Sequence, residues 1–304
     1  MKKHRVLVLV NREKDKNLLF TKEVVDFLSS KNIEVYLEDA IYKEFPYLLK
    51  IDNTTEIDFV LVLGGDGTLI DALHRYINND YKYFGINLGR VGCLLEATIH
   101  NYKTKIEAIL KNNCMLEHRN VIAYAVVDAE GHKIKGEAFN EVSLERGRLF
   151  KMLKVNMYIN YHNKTSFYAD GVVVATSTGS SAFNLSCGGP LLLPDAKNYV
   201  ITPICPQLRS ITSLIVNDKD IITIDIKNEG VSLKNTQYKP VVMVDGRTMI
   251  EIDEDSLISI EKSDKILKII KVDSEIPLFE PTFKVSMSSY KSNFYDTGEE
   301  NERV

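Results

Sequence analysis

Hydrophobic and polar positions follow two different rhythms along this chain. Up to about residue 112, short β-branched runs alternate with stretches of helical spacing. Residues 6–10 predict a buried strand, and between 18 and 28 the apolar positions Leu19, Val24, Phe27 and Leu28 recur at helical intervals. Residues 33–37 predict a second strand, and residues 59–63 a third that empties directly into Gly64-Gly65. Helical spacing resumes over 69–77. A fourth strand over 83–86 ends at Asn87-Leu88-Gly89, and a helix over 102–110 closes the region. Strand, helix and strand at this interval imply right-handed βαβ units and a parallel sheet, a Rossmann-like α/β domain.

From about residue 113 the rhythm changes. Val- and Ile-rich runs over 121–127, 137–144, 153–159, 166–174, 211–216, 221–226 and 240–244 predict strands, separated by turn signals such as Ala129-Glu130-Gly131-His132, residues 160–163 and Asn217-Asp218. Strands in succession with few helical patterns predict a mainly β second domain. Residues 178–192, dominated by Gly and Ser, leave room for one short helix. The expected division is therefore an α/β domain over 1–112, a mainly β domain over 113–275, and a C-terminal extension over 276–304 whose polar tail, 290–304, is expected to fray.

Composition narrows the class. The chain has 304 residues, room for two domains each with its own core, and 44% hydrophobic with 26% charged residues is the make-up of a soluble globular protein. A formal net charge of −4 gives no global field for nucleic acid or an anionic membrane, so an anionic ligand needs a local arrangement of backbone amides, Lys, Arg or metal. Cys93, Cys114, Cys187 and Cys205 form no C-x-x-C pair, and the histidines show no ligand spacing, which predicts reduced thiols and no structural zinc. No apolar run approaches the roughly 20 residues of a membrane helix, and the basic start is followed by too short an apolar stretch for a signal peptide. The expected compartment is the cytoplasm, with no membrane and no nucleic acid as partner.

The sharpest chemistry lies at Gly64-Gly65-Asp66-Gly67-Thr68, where a strand meets a helix start. Glycines let backbone N–H groups approach a phosphate, and the helix start adds unpaired donors and a positive dipole end. An acid inside such a loop repels phosphate, unless it takes a proton from a hydroxyl or faces magnesium. The structural alternative is a tight turn in which Asp66 or Thr68 caps the helix. A second strand, over 168–174, empties into Ala175-Thr176-Ser177-Thr178-Gly179-Ser180-Ser181-Ala182-Phe183 and on to Ser186-Cys187-Gly188-Gly189-Pro190, a supply of small donors for a polar ligand. Asn140-Glu141 sits at a strand end, where an amide beside a carboxylate reads a ribose or a base edge. Thr202-Pro203-Ile204-Cys205-Pro206 reads as a rigid turn with room for a cis bond. Val244-Asp245-Gly246-Arg247 reads as a hairpin turn whose acid either caps the turn or points at a ligand.

Taken in order, these segments resemble the NAD kinase family. The family carries a Gly-Gly-Asp-Gly-Thr loop, an Asn-x-Gly-x-x-Gly segment (here 87–92), Asn-Glu (Asn140-Glu141), an Asp-Gly-x-x-Val-Ala-Thr-x-Thr-Gly-Ser-x-Ala run (170–182), a Thr-Pro-Ile-Cys-Pro turn and a late Asp-Gly (Asp245-Gly246). The resemblance spans roughly residues 5 to 270. It implies transfer of a phosphoryl group from ATP, or polyphosphate, to the adenosine ribose 2'-hydroxyl of NAD by a homodimer or homotetramer. By position, Asp66 becomes the base or hydroxyl-orienting group, with Gly64, Gly65, Gly67 and Thr68 serving the donor phosphates. Gly67, Asn140, Glu141, Asp170, Thr178, Ser181, Ala182, Phe183 and Asp245 join Asp66 in contacting the dinucleotide. Magnesium is expected mainly on the donor phosphates, with no protein ligand assignable.

This chain departs from the family at four places and at its end. Cys93 stands where an aromatic is usual, Phe183 where Tyr is usual, Ser177 for Pro and Gln207 for His, and the end from Phe279 lacks the expected helix. The first loop alone is shared with lipid kinases of the diacylglycerol kinase type. A non-catalytic dinucleotide-binding regulator is the other alternative.

Overall fold

The computed structural model describes residues 3–52, 54–89, 92–149, 151–162, 164–226 and 238–272. The expected tail at 290–304 and the extension over 276–304 lie outside the described residues. The described residues divide into two compact units, one comprising those up to Glu117 together with 268–272, the other those within His118–Leu267. The simple serial division at residue 275 therefore needs a correction. The second unit ends at Leu267, and residues 268–272 belong with the first.

The first unit contains β1 (Arg5–Val10), α1 (Leu19–Ser30), β2 (Glu34–Leu37), α2 (Asp39–Tyr42), β3 (Leu49–Lys50), β4 (Phe59–Gly64), α3 (Asp66–Arg75), β5 (Lys82–Asn87), β6 (Ala97–Thr98) and α4 (Tyr102–Leu110). Its sheet runs β5-β4-β1-β2-β3, with the paired neighbours parallel. Every residue of β4 is buried, so this central strand is a continuous apolar run rather than an alternating one. Val6, Val8, Leu61, Leu63 and Phe84 of the sheet pack with Val24, Val25 and Leu28 of α1 and with Tyr102 and Ile106 of α4. Helix α1 starts after Leu18, whose φ of 53° is left-handed, and lacks a side-chain cap at that position. Asp15 supplies one instead, its carboxylate accepting the Thr21 N–H at 2.8 Å and the Thr21 hydroxyl at 2.7 Å.

The second unit contains most of β7 (Met115–Val127), then β8 (Lys133–Ala138), β9 (Glu141–Glu145), β10 (Leu153–Ile159), β11 (Thr165–Ala169), β12 (Gly171–Ala175), the 3-10 turn at Gly179–Ser181, α5 (Phe183–Ser186), β13 (Asn198–Ile204), β14 (Leu214–Asn217), β15 (Ile222–Ile226), β16 (Val241–Val244), β17 (Thr248–Glu251) and the start of β18 (Leu257–Lys271). One antiparallel sheet runs β14-β13-β12-β9-β16-β17, and β11, β10, β15 and β18 form a second antiparallel series. Val142, Leu144, Val172 and Val174 from the first pack with Val155, Phe167, Ile224 and Ile258 from the second in one core.

Three strand expectations change. Residues 137–144, read as one strand, break at Phe139-Asn140 into β8, which pairs with β7, and β9, which pairs with β12 and β16. Residues 166–174 break at Asp170 in the same way, with β11 on β10 and β12 between β9 and β13. In each case the apolar pattern continues while the chain changes sheets, so periodicity carries no sign of the corner. The proline turn is the third. Pro203 lies inside β13 opposite Val172, beyond Ile201, where the pairing with β14 stops. Its missing N–H therefore falls on a free strand side, and no cis bond occurs among the described residues. Helix α3 begins at Asp66, three residues before the expected start at 69, and β14 begins at Leu214 rather than 211.

Candidate active site

In the first unit the site grows from the end of β4. Gly64 pairs with Asn87 of the parallel strand β5, and the chain passes through Gly65, in extended conformation, straight into α3. The Thr68 hydroxyl folds back to accept the Gly65 N–H at 3.2 Å and an Asn11 Nδ2 proton at 3.1 Å. A Cβ on Gly64 would stand 2.3 Å from that hydroxyl, so this glycine is required by the protein's own packing. The Asn87–Gly89 turn closes alongside, with Leu88 N–H on the Gly64 carbonyl at 2.8 Å and Gly89 N–H on Asn87 Oδ1 at 2.9 Å.

Asp66 is half-buried at the first turn of α3, and Gly67 beside it is exposed. Its carboxylate is held from across the loop. Oδ2 accepts the Cys93 N–H at 2.8 Å and Oδ1 the Leu94 N–H at 3.2 Å. Gly92 permits this approach, since a Cβ there would lie 2.2 Å from Oδ1. Cys93 therefore acts through its backbone, and the loss of an aromatic side chain leaves the grip intact. Each oxygen keeps a lone pair for a hydroxyl or a metal-bound water. Asp66 thus does more than cap a helix, because it receives donors from a separate segment.

Sequence reading missed two residues here. Asn11 and Lys14 follow β1, and Asn11 Oδ1 accepts the backbone N–H of Glu13 at 3.0 Å and of Lys14 at 3.2 Å. The turn they form brings the Lys14 ammonium to 2.5 Å from where a Cβ on Gly65 would be, and 3.4 Å from that of Gly89. A polar Asn-x-x-Lys directly after an apolar strand was the available signal.

In the second unit the two sheet-changing corners take up the motif residues. At the first, the Asp245 carboxylate accepts three backbone N–H groups, from Phe139 at 2.9 Å, Asn140 at 2.7 Å and Glu141 at 3.0 Å. The Thr176 hydroxyl donates to the Phe139 carbonyl at 2.6 Å, and Gly179 presses on the Asn140 carbonyl, where a Cβ would sit 2.0 Å away. Asn140, Glu141, Thr178, Ser181, Ala182, Phe183 and Asp245 are thereby gathered. Asp245, at φ 49°, leads the turn after β16 and is buried. Its carboxylate serves the backbone of residues 139–141, a remote corner rather than the hairpin turn in which it stands.

The side chains differ in readiness. Thr178 is buried and accepts from Arg119 Nη1 at 3.3 Å, while Ser181 donates to the Thr178 carbonyl at 3.3 Å. Phe183 shows 36% of its surface, an aromatic face open to stacking. Glu141 is 6% exposed, and its Oε2 has no hydrogen-bond partner among the described residues. Burial, then the Asp245 charge, push its carboxyl up to about 8, against the lowering pull of the Phe183 backbone N–H.

Asp170 does not join this group. The β9–β12 register sets Gly171 against Glu145 and Ala175 against Glu141, so Asp170 is at the other end of β12, roughly 13 Å or more along the strand. There it pairs with Arg146 Nε at 2.9 Å. Among the other departures, Ser177 donates to the Pro194 carbonyl at 2.9 Å, and the Gln207 backbone N–H bonds the Tyr168 carbonyl at 2.9 Å.

Residues 6–114 match the family model described as the ATP-NAD kinase N-terminal domain, and residues 139–272 that of the ATP-NAD kinase C-terminal domain. The NAD kinase of Thermoanaerobacter sp. (strain X514) is 33% identical over 272 residues, covering 88% of this chain and 94% of that protein. That of Lachnoclostridium phytofermentans is 32% identical over 269 residues, covering 88% and 93%. Among solved structures, yeast NADH kinase complexed with NADH aligns at a TM-score of 0.79 and 18% identity, over 99% of this chain and 90% of that one. An NAD kinase from Archaeoglobus fulgidus in complex with ATP aligns at 0.70 and 22%, over 95% and 99%. At these identities the structural likeness speaks for the fold.

Proposed function

The chain belongs to the NAD kinase family, and we propose that it transfers the γ-phosphoryl group of ATP to the adenosine ribose 2'-hydroxyl of NAD, releasing NADP and ADP. The observation that carries the mechanism is the grip on Asp66. A carboxylate held by the Cys93 and Leu94 N–H groups keeps its outward lone pairs in a fixed direction. Asp66 accepts the proton of the 2'-hydroxyl as the hydroxyl oxygen attacks the γ-phosphorus and the bond to the β–γ bridging oxygen breaks. Donor phosphates fall to Gly64, Gly65, Gly67 and Thr68, whose backbone opens the start of α3. A magnesium ion held on those phosphates, when bound, would supply charge neutralisation at the transferring oxygens.

The dinucleotide falls to Asn140, Glu141, Thr178, Ser181, Ala182 and Phe183, with Phe183 as a stacking face for the base. The orphaned Oε2 of Glu141 supports this, because a buried oxygen without a donor is satisfied by a ligand hydroxyl or amine. Asp245 holds the corner on which these residues sit, and Asp170, bound to Arg146, is left out of the set. We assign the chain to the cytoplasm, in keeping with four free thiols. No helix among the described residues is long and apolar enough to cross a membrane. We also expect a homo-oligomer, since the edge strand β14 leaves Leu214 and Ile215 exposed at 43% and 48%.

A coupled assay tests the reaction directly. Magnesium-ATP with NAD is expected to yield NADP, and ATP with a diacylglycerol to yield no phosphorylated lipid. Tight NAD binding with no NADP formed, across several donors and metals, would overturn the kinase reading in favour of a regulator.

A further inference from the structure

The sheet β14-β13-β12-β9-β16-β17 turns one face to the core of the second unit, through Val142, Leu144, Val172 and Val174. Alternation along β9 sets Glu141, Ser143 and Glu145 on the opposite face, and the register places Thr202 of β13 there as well. The α5 segment lies against this second face. The Thr202 hydroxyl donates to Asn184 Oδ1 at 2.6 Å, and a Cβ on Gly189 would stand 2.4 Å from the same hydroxyl. Cys187 falls between those two contacts in the chain.

Two carboxylates share this face without a cation to match them. Glu145 accepts the Ser143 hydroxyl at 2.6 Å, while Glu141, only 6% exposed, keeps Oε2 without a hydrogen-bond partner. Neither forms an ion pair with a basic side chain among the described residues, and Arg146, next in the chain, is engaged with Asp170 at 2.9 Å. The surroundings register the imbalance. Burial first, then Cys205, Glu145 and Glu141 push the Cys187 thiol up to about 11. Glu145 likewise adds to the burial and the Asp245 charge that raise Glu141. A ligand that brings a positive charge relieves this potential, and a neutral one does not.

We propose that this acidic face selects the oxidised dinucleotide by attracting the cationic pyridinium ring of NAD, with Glu145 as a specificity-determining residue. The assignment rests on the dinucleotide reading given above. NAD and NADH share adenine, both riboses and the pyrophosphate, and differ by one hydride and one unit of charge at the nicotinamide. Only a group that senses charge at that ring tells them apart. Adenine is neutral, so the attraction acts on the nicotinamide end alone. A full charge roughly 10 Å from the ring, at an effective dielectric constant of about 20, changes affinity on the order of tenfold.

The test measures dissociation constants for NAD and for NADH by calorimetry on the full chain, without ATP. Wild type is expected to bind NAD at least fivefold tighter than NADH. Glu145→Gln keeps the side chain's shape and an acceptor for Ser143, and is expected to weaken NAD at least fivefold and NADH no more than twofold. Adding Glu141→Gln is expected to remove what preference remains. Should Glu145→Gln fail to fold, as read by circular dichroism, Val241→Lys takes its place with the same expectation, since it sets an ammonium opposite Glu145 across β16. Equal losses for the two dinucleotides, or no loss, overturn the proposal, as does a wild type without preference for NAD. A wild type that forms NADP while Glu145→Gln keeps its ratio of affinities defeats this proposal alone. Charge-dependent binding with no phosphorylated product under magnesium-ATP defeats the kinase reading alone, and a protein that binds neither dinucleotide defeats both.

Discussion

Gly92→Ala isolates what the grip on Asp66 is worth. The Gly92 backbone is outside the left-handed region, so an alanine meets no conformational strain there. Its only conflict is steric, because the new methyl carbon would lie 2.2 Å from Asp66 Oδ1 and 2.4 Å from both Cγ and Oδ2. Ordinary contact begins at about 3.5 Å, so the carboxylate and the 92–94 segment must separate by roughly 1 Å. Such a shift breaks the 2.8 Å bond from Cys93 N–H and turns the outward lone pairs away from their direction. A misplacement of about 1 Å at a reacting group costs on the order of 10²-fold, or about 2.7 kcal/mol of barrier. We therefore expect kcat to fall about 100-fold with KM for NAD and for ATP within a factor of about three, since only the aligned hydroxyl is lost. NADP formation coupled to a dehydrogenase, read as NADPH absorbance, gives both constants. A variant with wild-type kcat, or one whose whole deficit lies in KM, refutes the idea that backbone grip on Asp66 sets the rate.

Three further outcomes are expected. Asp66→Asn keeps one acceptor but turns an NH2 towards a backbone N–H. It should lower kcat by about 10²- to 10⁴-fold in a folded protein, and full activity would remove Asp66 from the chemistry. Glu141 has a folded carboxyl raised from 4.5 to about 8, so the stability contributed by its neutral form is complete below about 4.5 and is lost as pH rises through about 8. Between those limits the wild-type Tm should fall relative to Glu141→Gln, which keeps the amide uncharged while Asp245, Glu145 and the Phe183 N–H stay in place. Parallel Tm curves would count against the assignment. Asp245→Asn tolerates the left-handed φ of 49° but withdraws an acceptor from the buried N–H groups of 139–141, a loss of about 1–3 kcal/mol. A urea midpoint equal to that of wild type would show that the carboxylate does not hold the corner.

How much of this was legible from the chain alone depends on the kind of signal. Local order was readable where burial is continuous: β4 announces itself as an apolar run and ends on Gly64. The parallel order around it follows from the βαβ interval. The corners at Asn140 and Asp170 were not readable, because the residues on either side keep the apolar pattern while the chain exchanges one sheet for another. What makes the first corner is Asp245, over a hundred residues later, and no local pattern reports a bond at that distance. Lys14 escaped for a related reason. Its role depends on Gly65 lacking a side chain fifty residues on, and a lysine in a polar turn is otherwise unremarkable as sequence.

The two aspartates of the motifs also show why residue type alone does not assign a role. Asp66 and Asp245 are each bound by backbone N–H groups from a remote segment, so both are fixed. Asp245 takes three donors and is buried, which uses its charge to satisfy a turn that water does not reach. Asp66 takes two and stays half-exposed, which leaves acceptor capacity facing outward on a carboxylate whose orientation is already set. Preorganisation of that kind matters to a proton acceptor, because no reorientation remains to be made when the hydroxyl arrives. The glycines follow the same logic. Gly64, Gly65 and Gly92 make room for Thr68, Lys14 and Asp66 in turn, so the loop's openness to phosphate and its hold on the reacting groups come from the same missing side chains.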